Sequence, residues 1–209
     1  MTDPVRRCPD HGYTDGACPC GTAGETVLSA DRRTRLSKFM SGALRHFPDD
    51  VGLSLDVEGW VAWAELVAAA TDRYPWADEA AVEGVVVTDP KGRFERDDAT
   101  RVRAAYGHSV DVDLEPTDAP VPDRLYHGTA PDNADAIGRE GLKPMGRRQV
   151  HLSASVEAAR AVGRRHAVDP VVFEVDAAAL LEEYRVTKRG RETYTVDRVP
   201  PSYLRVVED

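Results

Sequence analysis

The sequence predicts an α+β protein made of a small N-terminal cysteine segment followed by two lobes. All three cysteines lie within the first twenty residues of the 209-residue chain, and an acidic, proline-rich stretch without periodicity, residues 111–122, divides the remainder. Helical patterns dominate before this stretch, whereas short strands mixed with short helices follow it. We therefore expect segments at residues 1–29, 30–110, 111–122 and 123–209, the third being a linker.

The composition predicts a globular protein, with 42% hydrophobic residues and a net charge of -9 from 36 acidic and 27 basic side chains. No apolar run approaches the roughly 20 residues of a membrane span. The N-terminal stretch MTDPVRRCPD also lacks the apolar core of a secretory signal. We therefore expect a cytoplasmic protein without a membrane partner; we also expect a monomer.

The acidic net charge is unexpected for a protein that binds nucleic acid, because phosphate contacts require lysine and arginine. Only four of the 27 basic residues are lysines. An acidic, lysine-poor surface suits a high-salt cytoplasm, where carboxylates hold water and their mutual repulsion is screened. Arginine use driven by a GC-rich genome explains the same composition, so both explanations stay open.

Cysteine and histidine recur at the N-terminus with the spacing C-x2-H-x6-C-x-C, which comprises Cys8, His11, Cys18 and Cys20. Three thiolates and one imidazole form a soft tetrahedral shell that suits Zn²⁺. All four ligands would be protein groups, so we predict a structural zinc knot. Metal binding would supply folding energy to a segment too short for a core of its own. The alternative is three ordinary buried thiols and a surface histidine.

The first lobe has the pattern of helices followed by a hairpin. Asp31 is placed to cap a helix over residues 31–47, and further helices are expected within residues 61–70 and 78–87. A β-hairpin follows, with its turn predicted at residues 89–92. Helices followed by a two-stranded wing indicate a winged-helix module.

The second lobe mixes short strands, typified by RLYHGT, QVHLS and VVFEVD, with short helices. Side chains alternate along a strand, so His151 and Ser153 should share one face. If the extended conformation reaches back through RQVHLS, Arg147 and Gln149 lie on the same face as His151, and Arg148 points away. This alternation favours Arg147 over its neighbour as a site residue.

Eight short motifs occur in order across residues 34–205. They are L-S-K-F-x-S-x-x-L-R-H, G-L-x-L-D-x-x-G-W-V, K-G-R-F, R-A-x-x-G-H-S, L-Y-H-G-T, R-x-x-V-H-L-S, V-G-x-R-H and V-P-P-x-Y-L. Together they resemble the RNA 2′-phosphotransferase family, known from tRNA splicing. The resemblance implies a winged-helix lobe and a C-terminal lobe with the NAD⁺-binding fold of ADP-ribosyltransferases. It also implies an enzyme whose partners are NAD⁺ and an RNA that carries a 2′-phosphate.

The resemblance places the family's essential tetrad at Arg45, His46, Arg93 and Arg147. Guanidinium groups bind phosphate oxygens in a bidentate manner and stay charged. A histidine is suited to proton transfer near neutral pH. These residue types therefore match a reaction that must bind a phosphate and stabilise charge on its oxygens.

The resemblance places the cofactor pocket in the second lobe, on His127, Gly128, Thr129, His151 and Ser153. A glycine lets a dinucleotide approach the backbone closely, and we expect the histidine and threonine of the LYHGT motif to offer donors to ribose or phosphate. The implied reaction has two steps. The RNA 2′-phosphate first displaces nicotinamide from NAD⁺, and the ribose 2″-hydroxyl then attacks the phosphorus, which frees the RNA and forms ADP-ribose 1″,2″-cyclic phosphate.

Two other functions stay open at this point. An enzyme with the same cofactor lobe could stop after the first step and ADP-ribosylate the 5′-phosphate ends of RNA or DNA. A zinc-binding winged-helix protein could also be a non-enzymatic nucleic-acid-binding regulator. The acidic charge, and the absence of a recognition helix rich in basic and amide side chains, argue against the regulator.

Overall fold

The computed structural model describes residues 3–97, 100–114, 117 and 119–207 of an α+β protein. The chain divides into two compact units, Met1–Leu114 (unit 1) and Glu115–Asp209 (unit 2). Three residues of the predicted linker, 115, 116 and 118, lie outside the described residues. Each unit is described by itself.

Unit 1 contains three α-helices and two three-stranded antiparallel sheets within its described residues. Its elements are β1 (Val5–Cys8), β2 (Gly12–Asp15), β3 (Glu25–Leu28), α1 (Ala30–Ala43), β4 (Val61–Ala62), α2 (Trp63–Arg73), α3 (Glu79–Val87), β5 (Phe94–Asp97) and β6 (Arg101–Ala104). The strand orders are β2-β1-β3 and β4-β6-β5. In sequence, only α1 lies between the two sheets, whereas α2 and α3 lie between strands β4 and β5 of the second sheet.

Helix α1 begins after Ser29, whose hydroxyl accepts a hydrogen bond from the Arg32 backbone N–H at 3.3 Å. The prediction that Asp31 is the cap was therefore wrong. Asp31 lies in the first turn, where its charge favours the helix dipole. The helix ends at Ala43, earlier than predicted, because the Gly42 carbonyl accepts the backbone N–H groups of residues 45–47 at 2.8–3.3 Å.

The hairpin of unit 1 is formed by β5 and β6, which pair from Phe94↔Ala104 to Asp97↔Arg101. The turn predicted at residues 89–92 was placed one element too early, because this segment joins α3 to β5. Turn-forming residues flank β5 on both sides, DPKG before it and DDAT after it, so composition did not separate the two possibilities. Residues 98 and 99 of the predicted hairpin lie outside the described residues.

The N-terminal sheet shares the hydrophobic core of unit 1. Val5 and Leu28 are 0% and 2% exposed and belong to the same apolar cluster as Leu36 and Met40 of α1 and Val82 of α3. Burying a side chain of this kind stabilises a fold by about 1.5–3 kcal/mol. The strands β1 and β3 therefore contribute directly to the stability of the helices.

A buried arginine, Arg33 of α1, joins the N-terminal sheet to the end of α3. Its Nη1 donates to the Asp3 carbonyl at 2.7 Å and to the Asp15 carboxylate, and its Nη2 donates to the carbonyl (2.7 Å) and hydroxyl (3.1 Å) of Thr88. The side chain is only 5% exposed. Because a buried charge must be paired and hydrogen-bonded, these contacts fix the position of Thr88, which directly precedes Asp89.

Unit 2 is a six-stranded sheet in the order β10-β11-β8-β7-β9-β12, with short helices. Its elements are β7 (Arg124–Thr129), α4 (Ala134–Glu140), β8 (Val150–Ser153), α5 (Val156–Gly163), β9 (Val171–Asp176), α6 (Ala177–Leu180), β10 (Thr187–Lys188), β11 (Thr193–Val196) and β12 (Leu204–Val206). Strand β7 pairs with β9 along its whole length but with β8 only at Tyr126↔Ser153. The sheet therefore consists of two halves joined at one residue pair.

Helix α5 packs directly against β7 at Gly128. A Cβ at this position would lie 1.9 Å from the Ala159 carbonyl oxygen and 3.2 Å from the Gly163 backbone nitrogen. Only glycine permits this approach, so Gly128 sets the distance between the helix and the strand. Among the helices of the described residues, none is long and apolar enough to cross a membrane.

Candidate functional site

The predicted cysteine–histidine cluster comes together in unit 1, where the ligating atoms of Cys8, His11, Cys18 and Cys20 lie within 4.8 Å of one another. Strands β1 and β2 bring the first two residues together, because Cys8 is the register partner of Gly12 at the end of the ladder. The other two cysteines lie on the loop between β2 and β3. All three thiols are free.

The separations within this cluster fit a tetrahedral ion. Zinc at about 2.3 Å from sulfur and about 2.0 Å from nitrogen separates two sulfurs by about 3.8 Å and a sulfur from a nitrogen by about 3.5 Å. His11 Nδ1 lies 3.6 Å from Sγ of both Cys8 and Cys18, and the Cys8 and Cys20 sulfurs are 3.7 Å apart. The sulfurs of Cys18 and Cys20 are closer, at 3.2 Å. The four residues could therefore hold one zinc ion.

The surroundings of two sulfurs favour the thiolate form that binds a metal. The Asp10 backbone N–H lowers the pKa of the Cys8 thiol, and the Thr22 side chain lowers that of Cys20. At Cys18 the Cys20 backbone N–H lowers the pKa, but the Cys20 sulfur, burial and the Cys8 sulfur outweigh it and raise the pKa to about 11. A divalent cation would offset the mutual repulsion of three neighbouring thiolates.

Three members of the predicted tetrad lie together in unit 1, directly after α1 and before β5. The Arg45 guanidinium donates to the Arg93 carbonyl oxygen at 3.4 Å and lies 4.8 Å from the centre of the Tyr106 ring. Ser109 connects the segment after β6 to the same place, since its backbone N–H donates to the Arg45 carbonyl at 2.9 Å. The exposed His46 ring lies beside it, with Nδ1 2.9 Å from Ser109 Oγ.

The contacts of Ser109 determine which nitrogen of His46 can exchange a proton. The Ser109 hydroxyl donates to the Arg45 carbonyl at 3.3 Å, so its oxygen accepts from His46 Nδ1–H. Nε2 is therefore the unprotonated nitrogen of a neutral ring, and it could accept a proton there or donate one when the ring is charged.

Arg93 is held by a buried carboxylate that the sequence reasoning did not identify. Asp89 accepts from the Arg93 backbone N–H at 2.5 Å, from Nε at 2.8 Å and from Nη2 at 2.5 Å. The Asp89 side chain is 2% exposed and the Arg93 side chain 23% exposed. The carboxylate therefore fixes the guanidinium plane while part of the guanidinium still faces solvent. An Asp-x3-Arg spacing across a turn was the available signal.

The fourth member of the tetrad, Arg147, lies in unit 2 beside His151, with its Nη1 3.0 Å from His151 Nδ1. The extended conformation covers VHLS but does not reach back to Arg147, because β8 begins at Val150 and residues 145–149 form bends. The bends nevertheless bring Arg147 to His151, whereas Gln149 donates to Asp197 at 3.0 Å. Arg147 therefore lies beside His151, but strand alternation is not the cause.

His127 directly follows Tyr126, the last residue of β7 that pairs with β8. Its ring, and not a backbone N–H group of β7, makes the hydrogen bond to the His151 carbonyl of β8. Its Nδ1 lies 3.0 Å from the His151 carbonyl oxygen, so Nδ1 carries the proton and Nε2 is an acceptor. Burial lowers the pKa of His127, the His151 carbonyl raises it, and the Arg147 charge lowers it further, with a net lowering. A neutral His127 therefore accepts hydrogen bonds through Nε2, whereas the sequence led us to expect a donor at this position.

The other predicted pocket residues occupy different environments. The His151 ring accepts from Arg147 through Nδ1, so a neutral His151 donates through Nε2 and complements His127. Ser153 shares the half-buried face of β8 with His151, as the alternation predicts. Thr129 is 6% exposed and its hydroxyl accepts from Asn133 at 3.1 Å.

Comparison with known proteins indicates the same family as the ordered sequence motifs. The family model for RNA 2′-phosphotransferase, Tpt1 / KptA family, matches residues 31–195. A relative from Haloarcula marismortui named "Probable RNA 2'-phosphotransferase" is 57% identical over the full length of both chains. "Probable RNA 2'-phosphotransferase 2" from Archaeoglobus fulgidus is 42% identical over 96% of this chain and 92% of its own. A Pyrococcus furiosus relative, also named "Probable RNA 2'-phosphotransferase", is 40% identical over 88% of this chain and 100% of its own.

The family model covers most of the chain, and the relatives align along nearly all of it. Both comparisons indicate the same family. The chain belongs to the RNA 2′-phosphotransferase, Tpt1 / KptA family, and it is a transferase.

Proposed function

We propose that this protein removes an internal 2′-phosphate from RNA with NAD⁺ as co-substrate. The observation that carries the proposal is the cluster of Arg45, His46 and Arg93, which unites two guanidinium groups and an exposed imidazole in unit 1. A 2′-phosphomonoester has close to two negative charges, and arginine forks bind such oxygens while staying charged. Family membership independently supports a 2′-phosphate on RNA as the substrate.

The first step is a displacement at the anomeric carbon of the nicotinamide ribose. An oxygen of the RNA 2′-phosphate forms the new bond to carbon, the carbon–nitrogen bond breaks, and its electron pair neutralises the departing nicotinamide. We assign Arg147, His127 and His151 to this step. Nε2 of His127 accepts from a ribose hydroxyl and Nε2 of His151 donates to an oxygen, so the pair is complementary to a ribose.

The second step is a transesterification at phosphorus. The ribose 2″-hydroxyl attacks, the bond from phosphorus to the RNA 2′-oxygen breaks, and ADP-ribose 1″,2″-cyclic phosphate leaves with the RNA bearing a free 2′-OH. Arg45 and Arg93 stabilise the charge on the phosphorus oxygens. We assign proton transfer to His46 Nε2, because Nδ1 is held by Ser109.

We propose that the lobes named in the sequence analysis correspond to parts of these units. Three helices followed by the β5–β6 hairpin, which β4 extends to an antiparallel sheet in the order β4-β6-β5, support a winged-helix lobe for binding the RNA phosphate. The two half-sheets of unit 2, with the proposed ribose-binding histidines where β7 and β8 cease to pair, support an ADP-ribosyltransferase-like NAD⁺ lobe that includes Gly128, Thr129 and Ser153. The cysteine–histidine cluster would hold a structural zinc ion with no open coordination position.

A single reaction separates this function from its alternatives. The protein is incubated with NAD⁺ and a short RNA that bears one internal 2′-phosphate, and the products are resolved by mass. We expect nicotinamide, RNA with a free 2′-OH and ADP-ribose 1″,2″-cyclic phosphate, all dependent on NAD⁺. Release of inorganic phosphate without NAD⁺ consumption would contradict the mechanism. An RNA ADP-ribosylated only at a 5′-phosphate would favour the alternative enzyme, and binding without turnover would favour the regulator.

The assignment of His46 and Arg93 is tested in the same assay. If both act mainly in the second step, His46→Ala and Arg93→Ala should slow transesterification more than the displacement of nicotinamide. The ADP-ribosylated RNA should then accumulate. An unchanged rate and product pattern in both variants would show that neither residue has this role.

A further inference from the structure

Unit 1 carries a surface where arginines cover aromatic rings, formed by Arg32 and Arg35 of α1, Arg73 of α2, and Tyr74 and Trp76 between α2 and α3. We name it the arginine–aromatic surface. The two rings stack on each other, with centroids 4.8 Å apart and planes inclined by 25°. Neither the metal cluster nor the residues assigned to the reaction belong to it.

Each arginine of this surface lies over a ring. The Arg32 guanidinium carbon is 5.1 Å from the Trp76 centroid, that of Arg35 is 5.2 Å from the Tyr74 centroid and 5.9 Å from that of Trp76, and that of Arg73 is 5.0 Å from Tyr74. All three arginines are exposed and both rings are half-buried. The rings therefore fix the guanidinium planes and leave their N–H groups directed to solvent.

The charge of this surface is not neutralised by neighbouring carboxylates. Within the described residues, no carboxylate lies within ion-pair distance of Arg32, Arg35 or Arg73, although Asp31 and Asp72 are adjacent in sequence. Other arginines of this chain do contact a carboxylate, namely Arg33, Arg93, Arg96, Arg101, Arg103 and Arg124. In a protein of net charge -9, exposed and unneutralised arginines are suited to an anionic partner.

We propose that the arginine–aromatic surface binds the single-stranded RNA that flanks the 2′-phosphate. This inference rests on the proposed function and adds a second, sequence-independent contact to it. Arginines held on aromatic faces are the combination that binds a single strand, because the guanidinium groups contact phosphates and the rings offer stacking for bases. The same contacts explain how an acidic protein retains RNA.

The distance along α1 sets the length of strand that is needed. From Arg35 to the end of α1 at Ala43 there are eight residues, which correspond to about 12 Å at the helical rise of about 1.5 Å per residue, and Arg45 follows two residues later. A strand stacked at about 3.4 Å per nucleotide covers this distance in about four to five nucleotides. The surface should therefore affect longer RNAs and have no effect on a dinucleotide that carries the 2′-phosphate.

The test is the binding of a single-stranded RNA of about ten nucleotides without a 2′-phosphate, long enough to include this span. Fluorescence anisotropy is measured over a series of KCl concentrations for the wild type and for the triple variant Arg32→Gln, Arg35→Gln, Arg73→Gln. Loss of three phosphate contacts should reduce the slope of log K against log salt by about 2, at about 0.7 per contact. The affinity at low salt should fall about tenfold or more.

A matched triple variant in unit 2, Arg139→Gln, Arg164→Gln, Arg165→Gln, changes the net charge by the same amount at exposed positions. It should keep the wild-type slope. Equal losses in the two triple variants would mean that only net charge matters and would overturn the proposal. Trp76→Leu should also weaken RNA binding, because it removes the ring beneath Arg32; unchanged binding in a folded Trp76→Leu protein counts against the surface.

Kinetics separate this inference from the proposed function. With the long 2′-phosphorylated RNA the unit 1 triple variant should raise KM at unchanged kcat, and with the dinucleotide both constants should match the wild type. If the wild type releases 2′-phosphate and the unit 1 triple variant binds and turns over RNA like its matched control, the RNA-binding role of the arginine–aromatic surface is wrong. The proposed function then still stands. If the wild type releases none, the proposed function fails, and the anisotropy measurement still decides whether RNA binds here.

Discussion

The most direct test of the site geometry is Asp89→Asn, which removes one negative charge and keeps the shape of the side chain. The amide oxygen can still accept a hydrogen bond, but the amide N–H₂ group then faces a donor of Arg93. Breaking a buried ion pair by removing one partner typically costs about 3–5 kcal/mol. Since Arg93 is partly exposed, we expect a loss near the lower limit, about 3 kcal/mol.

A loss of that size has two measurable consequences. For a domain of about 100 residues each kcal/mol lowers Tm by roughly 4 °C or more, so unit 1 should melt roughly 12 °C or more below the wild type. The guanidinium would also lose its fixed plane, and misplacement of a catalytic group by about 1 Å costs about a hundredfold in rate. We therefore expect 2′-phosphate release to fall between tenfold and a hundredfold at temperatures where the variant is folded.

The chain supplies a matched control in Asp97→Asn. Asp97 and Arg101 have the same spacing as Asp89 and Arg93, and Asp97 also accepts from the backbone N–H (2.8 Å) and Nε (2.6 Å) of its partner. The Arg101 side chain is 47% exposed and that of Asp97 28% exposed, against 2% for Asp89, so water replaces most of what is lost. Differential scanning calorimetry and the NAD⁺-dependent assay should both leave Asp97→Asn near the wild type. If the two variants are equally stable and equally active, Asp89 does not position Arg93.

The remaining predictions concern the metal cluster and unit 2. Protein purified without chelator should contain about one zinc per chain by elemental analysis; a folded, zinc-free protein with three reactive thiols would exclude the metal site. Arg147→Ala should lower 2′-phosphate release about tenfold to a hundredfold, the equivalent of about 1.5–3 kcal/mol. Arg147→Lys should restore little of this activity, and Arg148→Ala should lower it only mildly. Equal losses in the two alanine variants would show that the family's arginine was assigned one position away from its true place in this sequence. Because burial lowers the pKa of His127, the unfolded chain binds more protons than the folded one once the pH falls through the unfolded value of about 6.5, so Tm should drop with acid below that pH. His127→Asn, whose amide can still donate to the His151 carbonyl, should reduce that pH dependence, and identical pH profiles would rule out a neutral, buried His127. Gly128→Ala must push α5 away from β7, so circular dichroism melts should show a large decrease in Tm for the addition of one methyl group. A wild-type Tm would contradict the packing at this position.

Periodicity predicted the helices and strands that are long and regular. Helix α2 and the strands β7 and β9 lie where their apolar patterns place them, because local spacing alone selects these elements. Boundaries depended on single hydrogen bonds. Ser29 and Asp31 are both good capping residues, and only the Arg32 N–H contact chooses between them.

In the candidate site, too, local spacing predicted some features, whereas others depend on contacts between residues distant in sequence. The spacing of the cysteines and His11 was sufficient to predict a local cluster, because its ligands are close in sequence. Asp89 escaped notice because an aspartate before a proline is typical of a turn, and its role depends on burial that sequence does not reveal. The tautomer of His127 likewise depends on a carbonyl from a different strand, a contact that no local pattern encodes.

The shared core of unit 1 has a practical consequence for anyone who shortens the chain or strips it of metal. A version that starts at Ala30 would uncover the apolar surface now covered by Val5 and Leu28, at a cost of about 3–6 kcal/mol. That is a large part of the 5–15 kcal/mol that holds a typical domain folded. With zinc bound as proposed, chelation would therefore lower the amount of native enzyme rather than its turnover. Specific activity after chelator treatment becomes interpretable only when it is divided by the fraction still folded.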